Sequence, residues 1–329
     1  MSTKTDLLDL LSSNRGNYVS GQHVADTLGI SRAAISKAIS SLRKSGYRIQ
    51  SKPGLGYILM DDADVLSKSV ISDLITKPCK VMLFETIDST NTYAKTLNPG
   101  HIGDPENPPV CVIADCQSEG RGRLGRSFAS PSGSGIYLSL ALKPDFDIDK
   151  ALFITMAAAV AVCRSLEKVC GISPKIKWVN DVFYNEKKIC GILTEAQSNF
   201  ETGTIDSIII GIGINCFPGS FPEELSHIAG SVSDTPGSFS RSRLAACLVN
   251  ELIDLIETFT NKEFLNEYRK RCFVLGKNIK VHRLATDTAV SARAIDIDDN
   301  GALIVEYLEG PHIHKMEPLT TGEISIRMD

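Results

Sequence analysis

Six apolar runs of β-type composition, at residues 80–85, 110–116, 135–142, 175–179, 188–196 and 207–216, dominate the middle of this chain. Several follow one another with only turn-forming residues between them, whereas parallel neighbours need crossover connections of a dozen or more residues. The sheet is therefore expected to be mixed or antiparallel rather than doubly wound, which puts the region in the α+β class. One long helical pattern runs from Asp149 to Cys170, and two more cover Ser240 to Thr260 and Lys262 to Cys272. After Leu275-Gly276 the pattern changes to short alternating runs, Ile279–His282, Ala289–Asp296, Ala302–Tyr307, His312–Pro318 and Ile324–Met328, whose spacing predicts a small five-stranded barrel.

The opening segment obeys a different rhythm. Leu7, Leu8, Leu10 and Leu11 have helical spacing between Lys4 and Asn14, and Ser20 caps a second short helix that Gly29 stops. A third helix starts at Ser31, with Ala34, Ile35, Ala38, Ile39 and Leu42 along one stripe, and ends at Gly46. Two β-type runs, Tyr47–Gln50 and Tyr57–Met60, then flank a Pro-Gly turn, completing the order of a winged helix-turn-helix. That motif would send the third helix into a major groove with Arg32, Ser36 and Lys37 at base edges, while Arg48 and Lys52 reach phosphates. Charge agrees: residues 1–60 carry eight Lys/Arg and three Asp/Glu, a net of +5, and the remainder carries a net of −9. Such segregation points to a polyanion as the partner of the first module, which is expected to act separately from the rest.

Within the 329 residues no apolar run approaches the length of a membrane span and the N-terminus begins polar, so a cytoplasmic location without membrane partners is expected. The nine cysteines are odd in number and form no C-x-x-C pair, which reads as reduced core residues. The expected division is a winged helix over 1–62, a connector over 63–78 whose amphipathic helical pattern runs from Asp61 to Lys77, a ligand-binding domain over 79–274 and the small barrel over 275–329.

Four constellations carry chemistry. Gly120-Arg121-Gly122-Arg123-Leu124-Gly125-Arg126 matches G-x-G-x-x-G, but the following Ser127–Gly135 cannot open a helix and the next element is a strand, so a dinucleotide fold is rejected. What remains is a loop that exposes backbone N–H groups and concentrates three arginines, suited to phosphate or carboxylate. Lys177-Trp178-Val179-Asn180-Asp181 precedes Lys188 across a turn at residues 185–187, so Asp181 and Lys188 would flank a hairpin and face one cleft. Asp88-Ser89-Thr90-Asn91 would cap a helix through Leu97. Finally, Ile208–Asn215 (IIIGIGIN) is a buried strand whose two glycines admit either close packing or a flat ligand.

Taken together and in this order, DSTN, GRGRLGR, KWVND, KKICGIL, GIGIN and TGEISIR (Thr321–Arg327) resemble the biotin-protein ligases across nearly the whole chain. With SRAAISKAISSLRKSGY and PGLGYIL ahead of them, the chain is similar to the bifunctional class that also represses the biotin operon. The resemblance implies a class II synthetase-like ligase domain, an SH3-like C-terminal barrel, and synthesis of biotinyl-5′-AMP from biotin and ATP with Mg²⁺. Biotin would then pass to a lysine of a biotin carboxyl carrier protein or domain. It also implies operator DNA as a partner, biotinyl-AMP as corepressor and a homodimer in the adenylate-bound state.

By the same resemblance Ser89, Thr90, Asn91, Gln117, Gly120, Arg121, Gly122, Arg123, Lys188, Gly211 and Gly213 belong to the biotin site. Arg123, Arg126, Phe128, Asn180, Asn215 and Arg327 belong to the nucleotide side. Arg123, Lys188 and Asp181 are implied as catalytic, Asp181 orienting or deprotonating the incoming lysine amine, and no protein metal cage is implied. Phe128 stands where relatives often have Trp over adenine, Val179 replaces a common Pro and Thr321 a common Gly. Two rival readings are a lipoate-type ligase, whose loop is written differently, and a biotin-sensing regulator without catalysis, against which Arg123, Asp181 and Lys188 stand intact.

Overall fold

The structure, a computed structural model, describes residues 3–14, 16–44, 47–60, 64–145, 151–198, 205–219, 224, 227–282, 289–320 and 323–326. Helices α1 (Thr3–Ser13), α2 (Gly21–Leu28) and α3 (Arg32–Lys44) close their leucine and isoleucine stripes around Leu7, Leu11, Val24, Ile35, Ile39 and Leu42. Ser20 caps α2 by accepting from the His23 N–H, and Gly29 ends it at φ 64°. The hairpin β1 (Ile49–Lys52) and β2 (Gly56–Leu59) docks on this core through Leu59 and pairs Tyr57 with Val19. Gly56 is required there: its φ is +105°, and a Cβ would fall 2.0 Å from the Val19 carbonyl oxygen.

The expected connector helix is shorter than its pattern. Only α4 (Lys68–Leu74) is helical, residues 61–63 lie outside the described residues, and Asp64 to Ser67 run non-helically. Tertiary partners win over local periodicity: Asp64 accepts from the Arg241 backbone at 2.9 Å, the Ser67 N–H donates to Ser242 Oγ at 2.9 Å, and the Leu74 carbonyl accepts from Asn250. Val65 enters the winged-helix core and Leu66, its neighbour, enters the next one.

That second core is built on a seven-stranded sheet ordered β3-β4-β5-β9-β8-β7-β6, comprising β3 (Lys80–Ile87), β4 (Val110–Gln117), β5 (Gly135–Leu142), β6 (Lys175–Lys177), β7 (Asp181–Tyr184), β8 (Lys187–Ser198) and β9 (Ile205–Asn215). Only β3 and β4 run parallel, so the mixed sheet is as expected. The strands alternate between two buried faces. Cys111, Ile113, Ile210, Ile212 and Ile214 face α6 (Ala151–Cys170) and α7 (Arg241–Thr258), while Val110, Val112 and Ile209 meet Ala94 of the short helix α5 (Thr90–Ala94) on the other side. In β9 the residues facing α5 beyond Ile209 are Gly211 and Gly213, which leaves room on that face.

After α8 (Glu263–Arg271) the chain forms β10 (Asn278–His282), β11 (Ala289–Ile297), β12 (Leu303–Tyr307), β13 (Met316–Leu319) and β14 (Glu323–Ile326). They make an antiparallel sheet ordered β13-β12-β11-β10-β14, and among the described residues no ladder joins β13 to β14. His312 to Lys315, expected within a strand, instead form a turn. This sheet shares one continuous apolar core with the larger one, through Ile279, Ala292, Leu303 and Tyr307. Trp178 Nε1 donates to the Gly301 carbonyl at 3.2 Å across that junction. No described helix is long and apolar enough to cross a membrane.

Candidate active site

On the α5 side of β9 a cavity of about 620 Å³ opens, lined by residues from each of the four constellations. Its floor is glycine. A Cβ on Gly213 would stand 2.4 Å from the Phe128 ring and one on Gly211 2.2 Å from Asn91 Oδ1, so the two positions admit these side chains against the strand. The glycines therefore serve close packing as well as the cavity. Phe128 lies across Gly213 and Gly191 in a T-shaped arrangement with Tyr137, the ring centroids 6.4 Å apart.

One wall is a continuous run of polar contacts anchored by α5. Ser89 caps the helix, which ends at Ala94 rather than Leu97. The Ser139 hydroxyl lies 2.7 Å from Thr90 Oγ1 and 2.6 Å from Asn91 Oδ1. The Thr90 N–H donates to Gln117 Oε1 at 2.8 Å, and Gln117 Nε2 donates to Ser130 Oγ at 2.8 Å. At the other end Asn91 Nδ2 donates to Glu195 at 2.9 Å, and Glu195 also accepts from Lys95 Nζ at 2.6 Å. Burial alone would raise the Glu195 carboxyl pKa, but these bonds outweigh it and the net shift is downward. Glu195, Ser139 and Ser130 fall in no motif, and only three-dimensional pairing reveals them.

The arginine loop joins β4 to the antiparallel neighbour β5, as its rejection as a dinucleotide loop required. Arg121 and Arg126 are exposed and line the cavity, Arg123 is half-buried, and the Arg123 guanidinium donates to Asn180 Oδ1 at 2.9 Å. Gly120 lies behind the lining: a Cβ there would meet the Phe128 carbonyl oxygen at 2.3 Å and Ser130 Oγ at 2.7 Å. Asn180 is itself fixed, its amide donating to the Ile192 carbonyl at 2.9 Å and its own carbonyl accepting from the Ile192 N–H.

Across the β7–β8 hairpin Lys188 Nζ lies 2.7 Å from Asp181 Oδ1. That buried oxygen has no partner in hydrogen-bonding geometry, so the contact is chiefly Coulombic. Main-chain bonds hold Lys188 to Ile228 and Gly230, and Asn215 Nδ2 donates to the Gly230 carbonyl at 3.1 Å. Ile228 and Ala229 thus join the lining, as do His282 and Ile324 from the C-terminal sheet; none of these was legible as a site residue. Arg327 and Thr321 lie outside the described residues. In the first module Arg32, Ser36 and Lys37 are exposed on α3, with Arg48 and Lys52 exposed on the hairpin side. Arg43, overlooked in the sequence, ties α3 to β1 by donating to the Ile49 carbonyl at 2.8 Å and to Ser51 Oγ at 3.1 Å.

A winged helix joined to a mixed-sheet domain with this cavity defines a ligase-type domain carrying a DNA-binding module. Residues 83–215 match the Biotin/lipoate A/B protein ligase family, residues 3–58 match an HTH domain, and residues 274–327 match the Biotin protein ligase C terminal domain. The bifunctional ligase/repressor BirA of Bacillus subtilis is 36% identical over 93% of this chain and 95% of its own length. The protein of the same description from Escherichia coli is 31% identical over 98% and 96%. Biotin protein ligase from Aquifex aeolicus, solved with biotin and ATP, superposes with a TM-score of 0.61 at 26% identity, covering 75% of this chain and 98% of that one. The chain belongs to the bifunctional biotin ligase/repressor family.

Proposed function

We propose that the protein makes biotinyl-5′-AMP from biotin and ATP, transfers the biotinyl group to a lysine of a biotin carboxyl carrier domain, and represses biotin genes when the adenylate is bound. In the first step a biotin carboxylate oxygen attacks the α-phosphorus of ATP and diphosphate leaves. In the second the carrier amine attacks the biotinyl carbonyl carbon, the amide forms and AMP leaves, with the amine proton released.

Two anions must meet in the first step, which demands fixed positive charge where the new bond forms. The observation that carries this reading is the convergence of Arg123 and Lys188, each held against the neighbouring pair Asn180-Asp181, beside a glycine floor. Ser89, Thr90, Asn91 and Gln117 supply donors and acceptors for a ureido head, while Arg121 and Gly122 adjoin them on the loop. Phe128 offers an aromatic surface, and Arg126 and Asn215, which line the same cavity, would serve the nucleotide. Asp181, once the lysine ammonium turns to the substrate, is placed to orient or deprotonate the amine. Mg²⁺ would arrive on the triphosphate as part of the substrate.

Operator recognition would use Arg32, Ser36 and Lys37 in the groove with Arg48 and Lys52 on the backbone, and a two-fold operator would require a homodimer. Biotin-dependent release of diphosphate from ATP by the purified protein tests the catalytic reading. Release is expected, and none with biotin and ATP both saturating would overturn it.

A further inference from the structure

Arg241, at the first position of α7, is a fully buried guanidinium, 1% exposed. Its Nε donates to Asp64, and its Nη1 donates to Asp115 Oδ1 at 2.8 Å and to the Gly135 carbonyl at 2.8 Å. Both carboxylates are buried too, with side chains 6% and 9% exposed. A buried ionic cluster adds little to stability over an apolar one of the same volume, because removing three charges from water costs about as much as their attraction returns. What such a cluster does supply is direction. It fixes three segments distant in sequence: the connector at Asp64, the strand β4 at Asp115, and the start of α7.

The second oxygen of Asp115 leads toward the cavity. It accepts from Ser132 Oγ and from the Gly133 N–H at 3.1 Å, the turn where the arginine loop returns to β5. Two residues further along β4, the Gln117 N–H donates to the Ser130 carbonyl at 3.1 Å. The loop bearing Arg121, Arg123, Arg126 and Phe128 is thus clamped at its base by Gln117 and by Asp115. The DNA-binding module reaches the same place, since Tyr47, Leu8 and Leu42 line a small crevice together with Asp115.

We propose that Asp115 is a positioning residue for the substrate loop, and that Arg241 and Asp64 make its position depend on the connector that follows the DNA-binding module. The proposal rests on the ligase reading above. A loop released from this clamp occupies its binding arrangement for a smaller fraction of the time, and apparent affinity falls by that fraction. Once biotin is bound, Arg123 and Lys188 are untouched, so the rate at saturation stays.

Adenylate synthesis by the full-length protein, with biotin varied at saturating ATP and Mg²⁺, separates the two parameters for Ser132→Ala, Asp115→Asn and Asp64→Asn. Asp115→Asn is expected to raise the biotin KM by roughly 10-fold, the scale of one charge-assisted hydrogen bond. Ser132→Ala and Asp64→Asn should each raise it roughly 3-fold, and kcat should stay within about 2-fold in all three. Combined with Asp115→Asn, Asp64→Asn should add nothing further, because its effect passes through the same carboxylate. Parental biotin KM values in the folded variants, losses confined to kcat, or independent additive effects would each overturn the proposal. Ser132→Ala leaves all three charges in place and decides the matter alone if the other two fail to fold. Failure of the unmodified protein to form adenylate would instead strike the ligase reading.

Discussion

Lys188 holds an ammonium 2.7 Å from the carboxylate of Asp181, and replacing it with Met removes the charge while keeping much of the side-chain volume. Losing one preorganised electrostatic contact of this kind typically costs roughly 10² to 10³ in rate, so adenylate synthesis by Lys188→Met should fall by about that factor with the far-ultraviolet circular dichroism unchanged. Synthesis at the parental rate would remove Lys188 from the chemistry. Glu195 makes a pH prediction. Its carboxyl pKa is lowered in the folded chain, so the stabilisation it gives to Asn91 and Lys95 is present above the unfolded value of 4.5 and is lost as pH falls through the folded value. The Glu195→Gln protein should therefore show a flatter loss of melting temperature on acidification than the parent, and identical profiles would contradict the assignment. Spacing placed Lys188 and Asp181 on one hairpin and Arg123 on a basic loop, as found, while the roles given to the three came from the family resemblance. Glu195, Asp115 and Arg241 were not legible, since what defines each is a partner roughly one hundred or more residues away.

At the level of elements, strand β9 was read correctly as buried, and its glycines serve close packing, Gly213 against the Phe128 ring and Gly211 against Asn91, while both also line the cavity. Gly213→Ala should force that ring aside, lowering stability by about 1 to 3 kcal/mol and weakening biotin binding, with Phe128→Ala in the same chain restoring part of the stability. Melting temperatures of the two single variants and the double variant check this; full additivity would deny the contact. The connector was overread because an amphipathic pattern continues through Asp64 and Ser67, which tertiary hydrogen bonds take out of the helix. Helix α3 and the second hairpin strand, by contrast, followed local rules of stripe and turn and were legible to within a residue or two, whereas the first strand runs Ile49–Lys52, two residues later than expected. Arg32→Ala should weaken operator binding by roughly 1 to 3 kcal/mol if Arg32 meets a base edge, measured by fluorescence anisotropy at fixed salt. An unchanged affinity would move Arg32 off the groove.

For the whole molecule, the expectation of separable modules needs amendment. Lys4 pairs with Glu85, Asp9 accepts from Ser67, and Tyr47 stands beside Asp115, so the winged helix is packed onto the ligase domain rather than tethered to it. The C-terminal sheet goes further and shares the main core, whereas the winged helix keeps its own. Operator binding should be stronger with biotin and ATP present than without, through a differential affinity of typically ~1 to 3 kcal/mol, and equal affinity in both conditions would sink the corepressor role while sparing the ligase. Mass spectrometry of a biotin carboxyl carrier domain incubated with the protein, ATP, Mg²⁺ and biotin should find one biotinyl group in amide linkage on one lysine, absent when ATP is omitted. A carrier recovered unmodified, under conditions in which a known biotin ligase modifies it fully, would show that the protein does not ligate biotin.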